Sequence, residues 1–330
     1  MTQQHLETSW LAASLALQFF PEFSTSKFEL INVSENVTFK IYDNSGVATH
    51  ALRVHRPGYH SRIEILSELA WINSIAKDTG LSVPKVVRNE QNRYLTEVLI
   101  SESNRRYCVV TRYVQGVELT DEDSPDRFYS LGLIAAKLHL HTLGWSEPSW
   151  FTRFSWDLCD GFGGSPRWGT WWAQLDDIDK KYLKVVEDLI SSSLVRYGRA
   201  KDNYGLIHAD MRLSNVIWST PDSHPTLIDF DDCGYGWFLY DLATTVSFFE
   251  HKEQVPEIVV KWLEGYESVR LLSDEDKNAI WSLIMFRRLL LLGWIQSHPQ
   301  VTVCQQLAPT FAYDTLSLAD RYLRNDLAKF

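Results

Sequence analysis

The stretch with the clearest potential for chemistry runs from His208 to Asn215, and Asp229 follows fourteen residues later. Its polar residues stand beside short apolar pieces, where an unpaired polar side chain would be costly to bury. The carboxylate of Asp210, on a loop, can take a proton from a hydroxyl. Side-chain oxygens of Asn215 and Asp229 suit Mg²⁺, which binds few protein ligands and keeps substrate phosphates and waters.

Two groups of elements must position these residues. Between 28 and 113, alternating β-branched and aromatic residues predict five strands, and Ile63, Leu66 and Leu69 give the single helix at 61–77 an apolar face. An amphipathic helix is also predicted at the start of the chain. After Gln115-Gly116 the pattern is mainly helical. The predicted elements are strands at 28–33, 37–42, 49–54, 93–100, 106–113, 204–207, 216–218 and 226–230, and helices at 5–20, 61–77, 124–143, 170–196 and 277–297.

This change of pattern predicts a small mixed α/β lobe and a larger helical lobe. We expect a first domain over 1–112, a linker over 113–119 and a second domain over 120–330. A cleft between two such lobes is where a ligand is expected.

Composition excludes several classes of protein. The chain has 330 residues, of which 45% are hydrophobic, and a net charge of −10 that arises entirely after residue 118. Intrinsic disorder does not fit this composition, and a nucleic-acid binder usually carries a basic face. The acidic part would suit a cationic substrate or metal ions, although a solvated acidic surface is the simpler interpretation.

Cysteine usage and hydropathy predict a cytoplasmic protein without a membrane partner. The four cysteines form no CxxC pair, and a chain of this length needs no disulfides. The apolar stretch near the start lacks a basic region and contains Glu7, which does not fit a signal peptide. The run from Leu289 to Ile295 is too short to span a bilayer.

The pattern HxDxxxxN at 208–215, followed by Ile228-Asp229, resembles the catalytic and metal-binding loops of the protein-kinase-like superfamily. Three further segments resemble its aminoglycoside phosphotransferase/choline kinase branch: 34–39, 51–59 and 240–243. Within this branch the chain is similar to bacterial homoserine-kinase-like proteins and to stress-response Ser/Thr kinases. The resemblance covers about residues 28–300.

The resemblance implies an α+β, bilobal protein-kinase-like fold, with a five-stranded antiparallel N-lobe carrying one helix and a larger helical C-lobe. It implies ATP and Mg²⁺ as cofactors. Asp210 would be the catalytic base or would orient the acceptor, His208 would be structural, and Arg212 would stabilise charge in the transition state. The implied metal ligands are Asn215, Asp229 and Asp231, although Asp231 could instead shape the loop.

The nucleotide site implied in the N-lobe departs from the usual kinase pattern. Arg53 stands where most kinases have a lysine, and a forked guanidinium can also bind phosphate oxygens. Its expected helix partner is Glu68, with Glu64 as the second choice. No GxGxxG is present, so Ser34 and Asn36 must cover the phosphates. The base would lie against the linker near Thr111 and Tyr113.

Two other groups of residues allow more than one interpretation. Six tryptophans lie between residues 145 and 173, and they either pack a long insert or form a wall of the acceptor pocket. His139 and His141, near the end of a predicted helix, are expected to pack or cap rather than to bind metal.

We therefore expect a kinase that transfers the γ-phosphoryl group of ATP to a hydroxyl of a small metabolite, such as an amino alcohol, an amino acid or an aminoglycoside-like compound. Tyr240 follows Asp229 only eleven positions later, which leaves little room for an activation segment and favours a small acceptor. The alternatives are a Ser/Thr protein kinase of the bacterial stress-response type and a nucleotide-binding regulator without turnover. The sequence indicates no oligomeric state.

Overall fold

The computed structural model describes residues 3–33, 36–220 and 224–330. The chain divides into two compact units. The first unit contains Met1–Val117, Glu147–Arg153 and Ile217–Asp231, and the second contains Glu118–Ser146, Phe154–Val216 and Asp232–Phe330. Asp229 and Asp231 therefore belong to the first unit, whereas the loop at 208–215 belongs to the second.

The first unit is built on a five-stranded antiparallel sheet with strand order β1-β2-β3-β5-β4. Side chains alternate between its two faces, so Phe39 and Leu52 lie on the same side in a core shared with Ala12 and Ala16 of the first helix. The elements are β1 (Phe28–Val33), β2 (Val37–Tyr42), β3 (Ala48–Val54), β4 (Leu95–Ser101), β5 (Asn104–Arg112), α1 (Gln3–Leu17) and α2 (Arg62–Asp78).

Local signals set both ends of α2. Ser61 accepts a hydrogen bond from the backbone N–H of Glu64, and the Glu64 side chain accepts one from the N–H of Ser61. This capping box fixes the start of the helix. Gly80, at φ +69°, follows the last turn in a conformation that favours glycine. The helix thereby holds Glu68 on its buried side.

The second unit is mainly helical. Helices α3 and α7 cross closely, because a Cβ at Gly132 would lie 1.8 Å from the Trp262 carbonyl oxygen and one at Gly265 would lie 1.9 Å from that of Tyr129. The helices are α3 (Asp126–Gly144), α4 (Leu158–Phe162), α5 (Asp177–Tyr197), α6 (Tyr240–Thr245), α7 (Val255–Glu267), α8 (Asp274–Ser297) and α9 (Thr302–Leu323), with a 3-10 turn at Leu213–Asn215.

Short strands complete the fold. In the second unit, β7 (Ser155–Trp156), β11 (Gly234–Trp237) and β8 (Tyr204–Ile207) form one small sheet. A second small sheet has the order β10-β9-β6, formed by β6 (Val117–Glu118), β9 (Val216–Trp218) and β10 (Thr226–Leu227).

The predicted fold class is confirmed, although several element boundaries differ and β6 and β11 were not predicted. The helix predicted at 170–196 begins at Asp177, because Asp176 caps it by accepting hydrogen bonds from two backbone N–H groups. The strand predicted at 226–230 ends at Leu227. The tryptophan-rich segment contains β7 and α4, whereas no element was predicted between residues 143 and 170.

Helix α8 is, among the described residues, the one helix long and apolar enough to span a membrane. Its most apolar 18-residue window is 89% buried inside the protein. Because this apolar window is covered by protein, α8 serves as a core helix.

Candidate functional site

In the first unit, the structure brings Arg53 and Glu68 together. Arg53 lies on β3, on the face opposite to Leu52, and its guanidinium donates a hydrogen bond to the Glu68 carboxylate on α2. The Glu68 side chain is only 1% exposed. Glu64, the second candidate partner, is instead used in the capping box of α2. A buried carboxylate beside a guanidinium forms a charge-assisted hydrogen bond, which is stronger than a neutral one.

Two aspartates extend this cluster. The Arg53 guanidinium lies 3.5 Å from Asp229 Oδ1 and 3.6 Å from Asp231 Oδ1. Asp229 is the exposed member, with 42% of its side chain accessible, whereas Asp231 is 8% accessible. The backbone of Asp229 has φ +62°, an uncommon conformation for a residue with a side chain. Strain of this kind often marks functional sites.

Sequence reasoning missed two histidines beside Asp231. His55 Nδ1 lies 3.6 Å from Asp231 Oδ1, and His60 Nε2 lies 3.3 Å from Asp231 Oδ2. Burial raises the pKa of Asp231, but His60 and Arg53 lower it by a larger amount. The pKa of Asp231 therefore lies well below its usual range. Burial together with Arg53 lowers the pKa of His55. His55 lies within the segment 51–59, just after β3, and His60 directly follows that segment. This position next to a family-like segment was the only feature of the sequence that could have indicated them.

His55, Glu68 and Asp231 form the one group of candidate metal ligands detected among the described residues, with ligand atoms within 4.8 Å of one another. The Arg53 guanidinium already bonds to Glu68 and lies beside Asp231. Arg53 therefore supplies the positive charge that such a group needs. The more exposed carboxylate of Asp229 is the better candidate ligand for Mg²⁺ in this unit.

The remaining nucleotide-site candidates lie on the same unit. The side-chain oxygen of Asn36 accepts the backbone N–H of Arg56 at 3.1 Å, while Ser34 falls outside the described residues. Thr111 lies in β5, and the Tyr113 ring lies 5.0 Å from Lys40 Nζ. The backbone N–H of Tyr113 donates to Thr49 O, so it is not open to a nucleotide base in this conformation.

In the second unit, Asp241 braces the loop at 208–215. Its two carboxylate oxygens accept the backbone N–H groups of His208 at 3.1 Å and of Ala209 at 2.7 Å. Ala209 has φ +63°, a strained conformation that these bonds hold in place. His139 Nε2 lies 3.0 Å from Asp241 and its Nδ1 lies 2.9 Å from the Tyr266 hydroxyl. His139 therefore supports the brace, with both ring nitrogens used in these contacts.

Asp210 is buried at the centre of this loop and accepts three side-chain hydrogen bonds. Oδ2 accepts from Asn215 Nδ2 at 2.7 Å and from Arg212 Nε at 3.1 Å, and Oδ1 accepts from Arg287 Nη2 at 2.8 Å. Burial raises the pKa of Asp210, but Arg212 and Arg287 lower it by more. The carboxylate is ionised, and its orientation is fixed from both sides.

The other loop residues fit around Asp210. His208 is buried, and its Nδ1 accepts the backbone N–H of Asp210 at 3.2 Å. Asn215 uses its amide nitrogen on Asp210, which leaves the amide oxygen, the atom that a cation prefers, for another partner. Arg287 was missed from the sequence, although two adjacent arginines inside the most apolar helix need buried partners.

The tryptophan-rich segment packs in the second unit. Trp156 donates its indole N–H to Asp232 O at 2.7 Å, and Trp171 donates to Glu187 at 2.6 Å. The Trp168 ring lies 4.8 Å from the Arg287 guanidinium. These contacts fit the packing interpretation. The role of the segment as a wall of the acceptor pocket stays a prediction.

Comparisons with known proteins agree with this arrangement. A model of the phosphotransferase enzyme family, APH, matches residues 29–273. The structure of a microcompartment-associated aminopropanol kinase is 38% identical, covers 96% of this chain and 98% of its own, and has a TM-score of 0.87. Amicoumacin kinase of Bacillus subtilis (strain 168) is 23% identical over 286 residues, which are 82% of this chain and 80% of that protein.

Homoserine kinase of Gluconobacter oxydans (strain 621H) is 26% identical over 254 residues, which are 72% of this chain and 75% of the relative. The family match spans most of the sequence and includes the Arg53 cluster and the loop at 208–215. The chain therefore belongs to the phosphotransferase enzyme family and is an enzyme that transfers a phosphoryl group to a hydroxyl of a small molecule.

Proposed function

We propose that this enzyme is an ATP- and Mg²⁺-dependent kinase whose acceptor is a small amino alcohol. The observation that carries the proposal is the buried Asp210 carboxylate, held by three side-chain donors in a braced loop. Phosphoryl transfer depends mainly on positioning and on neutralising charge, and a fixed carboxylate that binds the acceptor hydroxyl supplies the first of these.

Each residue of the site has a proposed role. Asp210 orients the acceptor hydroxyl and takes its proton, while Arg212 stabilises charge on the transferred group. Asn215 and Asp229 would hold Mg²⁺, which neutralises phosphate charge when bound. Arg53 binds nucleotide phosphates.

The other residues support these groups. Glu68 and Asp231 hold Arg53 by ion pairs, and His208 maintains the shape of the loop. Ser34 and Asn36 cover the phosphates, and the base lies against Thr111 and Tyr113. The linker at 113–119 joins the domains at 1–112 and 120–330 in this proposal.

Two observations support an amino alcohol as the acceptor. The relative with 38% identity acts on aminopropanol by its description, and it matches this chain over nearly its full length. The excess of acidic residues lies after residue 118, in the part that contains Asp210. An acidic surface attracts a cationic amine and repels anionic competitors.

We also propose that the enzyme acts in the cytoplasm without a nucleic-acid or membrane partner. The sequence has four cysteines without a CxxC pair, which fits a reducing compartment. The acidic net charge does not suit a nucleic-acid backbone, and the apolar helix α8 is used as a core helix.

The experiment that tests the proposal measures ADP release from Mg²⁺-ATP with separate acceptors. These are aminopropanol, ethanolamine, homoserine, an aminoglycoside and a generic Ser/Thr protein substrate. We expect the highest kcat/KM with an amino alcohol, and an acceptor-dependent rate about 10²–10⁴-fold lower in Asp210→Ala. A rate confined to homoserine or the aminoglycoside would change the acceptor class. Phosphorylation of the protein substrate alone would favour a protein kinase, and Mg²⁺-ATP binding without turnover would favour a regulator.

A further inference from the structure

Helix α8 carries two consecutive arginines in its buried interior. Arg287 is 1% exposed and Arg288 is fully buried. Burying one guanidinium without partners costs several kcal/mol, and this helix buries two in succession. Adjacent residues of a helix project about 100° apart, so the two side chains meet different surroundings. The hydrogen-bond partners of each arginine therefore indicate its role.

The hydrogen bonds described for Arg287 go to the loop that carries Asp210, to α6 and to Ser247 just after α6. Nη2 donates to Asp210 Oδ1 at 2.8 Å, and Nη1 lies 3.5 Å from Ala209 O and 3.3 Å from the Tyr240 hydroxyl. Nε donates to Ser247 Oγ at 3.1 Å. The planar fork of an arginine can hold all of these acceptors at once, which a lysine cannot.

The hydrogen bonds described for Arg288 go elsewhere. Nη1 donates to Glu250 at 2.6 Å, Nε to Thr315 Oγ1 at 2.8 Å and Nη2 to Phe311 O at 3.0 Å. Two of these three acceptors lie on α9. Arg288 therefore anchors one helix to another. It matches Arg287 in charge, helix and burial, and it is a natural control for it.

We propose that Arg287 is a positioning residue for catalysis, which holds Asp210 at the orientation that phosphoryl transfer requires. This inference rests on the proposed function, in which Asp210 binds the acceptor hydroxyl. Asn215 and Arg212 engage Oδ2, and Arg287 engages Oδ1, so the carboxylate cannot turn about its side-chain bonds without breaking a charged hydrogen bond. A displacement of about 1 Å in such a group lowers rates by about 10²-fold.

A purely structural role for Arg287 makes a different prediction. Loss of a buried, paired arginine destabilises a fold whatever its neighbours do. Stability alone therefore cannot distinguish Arg287 from Arg288. The distinguishing quantity is kcat of the folded enzyme, compared with the KM for ATP.

The test compares Arg287→Lys and Arg287→Ala with Arg288→Lys and Arg288→Ala at a temperature where each is folded, using aminopropanol or the acceptor selected by the screen. We expect kcat of the Arg287 variants to fall by about 10–100-fold, with KM for ATP within about threefold. We expect Arg287→Lys to be less affected than Arg287→Ala, and added guanidinium to restore part of the rate of Arg287→Ala. The Arg288 variants should lose thermal stability but keep kcat within about threefold.

Asp210→Ala, alone and combined with Arg287→Lys, separates the possible failures. If Arg287 acts through Asp210, the double variant is no slower than Asp210→Ala. If Arg287→Lys has the same kcat as Arg288→Lys while Asp210→Ala is inactive, the positioning role is wrong and the proposed function stands. If Asp210→Ala keeps its turnover, the catalytic role of Asp210 is wrong and the inference falls with it.

Discussion

Two clusters of buried charge, one around Asp210 in the second unit and one around Arg53 in the first, are held in contrasting ways. In the second unit, all four carboxylate oxygens of Asp210 and Asp241 accept hydrogen bonds from the loop at 208–215, from His139 or from Arg287. In the first unit, the hydrogen bonding of the cluster around Arg53 is less complete. Glu68 Oε2, Asp231 Oδ1 and both nitrogens of His55 are buried without a hydrogen-bond partner among the described residues.

This difference indicates different tasks for the two units. A buried polar group that lacks a hydrogen bond costs about 1–3 kcal/mol. Among the described residues, the hydrogen bonding of the first cluster is incomplete, and its unpartnered atoms are carboxylate oxygens and imidazole nitrogens. Both carboxylate oxygens of Asp210 are already held before a substrate arrives, and such preorganisation is what charge stabilisation in catalysis uses. Substitutions in the first unit should change nucleotide binding, and those around Asp210 should change turnover.

Asp210→Ala should give the largest effect and the clearest separation of turnover from nucleotide binding. We expect kcat to fall by about 10²–10⁴-fold, the usual size for loss of a general base. ATP binding should remain within about threefold of the wild-type value, because the proposed phosphate-binding residue Arg53 and the exposed carboxylate of Asp229 lie in the other unit. Turnover by ADP release and ATP affinity by calorimetry check this. An equal loss of both properties would contradict the division of tasks.

Asp229→Asn should affect nucleotide binding next most strongly. Replacing a residue that only hydrogen-bonds to a metal ligand lowers metal affinity by about 10–100-fold. Replacing a carboxylate that binds the metal directly should lower the affinity at least as much. ATP affinity should then no longer rise when Mg²⁺ is added. Asp232→Asn, a nearby partly exposed aspartate of the second unit, is the control. Unchanged Mg²⁺ dependence in Asp229→Asn would exclude Asp229 as the ligand.

Arg53→Ala should have a smaller effect, confined to the nucleotide. Hydrogen bonds to charged groups contribute about 1.5–3 kcal/mol, so KM for ATP should rise by roughly tenfold or more. Arg53→Lys should give an intermediate value, because it keeps the charge and loses the fork. Glu68→Gln should add little to Arg53→Ala, because the two residues act as a pair. A change in kcat with normal KM would assign Arg53 to the chemical step instead.

Much of this site is local in sequence, which is why it could be predicted. The spacing from His208 to Asn215 is that of one loop, and the alternation along β3 places Arg53 on the side of Glu68. The strand order of the larger sheet follows from hairpins and one helix between β3 and β4. These features depend on neighbours a few residues apart or on a pattern with a fixed period.

Other parts of the site depend on contacts between distant residues, which leave no periodic signal. Arg287 reaches Asp210 across 77 positions of the chain. His55 and His60 approach Asp231 from a segment about 170 residues earlier, and their types alone did not indicate a common partner. The start of α5 was misplaced because the tryptophans before it mimic helical periodicity, whereas Asp176 sets the boundary by capping.

The smallest expected effect compares two buried histidines, one from each unit. Burial lowers the pKa of His50 on β3 to about 4, with a further contribution from Arg112. Burial also lowers the pKa of His139, but Asp241 opposes that change. In the unfolded chain, a histidine side chain takes up a proton near pH 6.5. His50 therefore contributes stability above that pH, and the contribution is lost as the pH falls from about 6.5 toward 4.

We expect the urea midpoint of the wild type to fall between about pH 7.5 and about pH 5, and His50→Gln to show a weaker dependence on pH. His224→Gln, at an exposed position, should keep the wild-type dependence. His139→Gln should instead lower the midpoint at both pH values, because it disturbs the bonds to Asp241 and Tyr266. If His50→Gln and the wild type change equally with pH, then His50 takes up its proton without unfolding the sheet. The first unit would then accommodate a buried charge at His50 as well as in the Arg53 cluster. Incomplete pairing of buried charges would therefore not be specific to the nucleotide site.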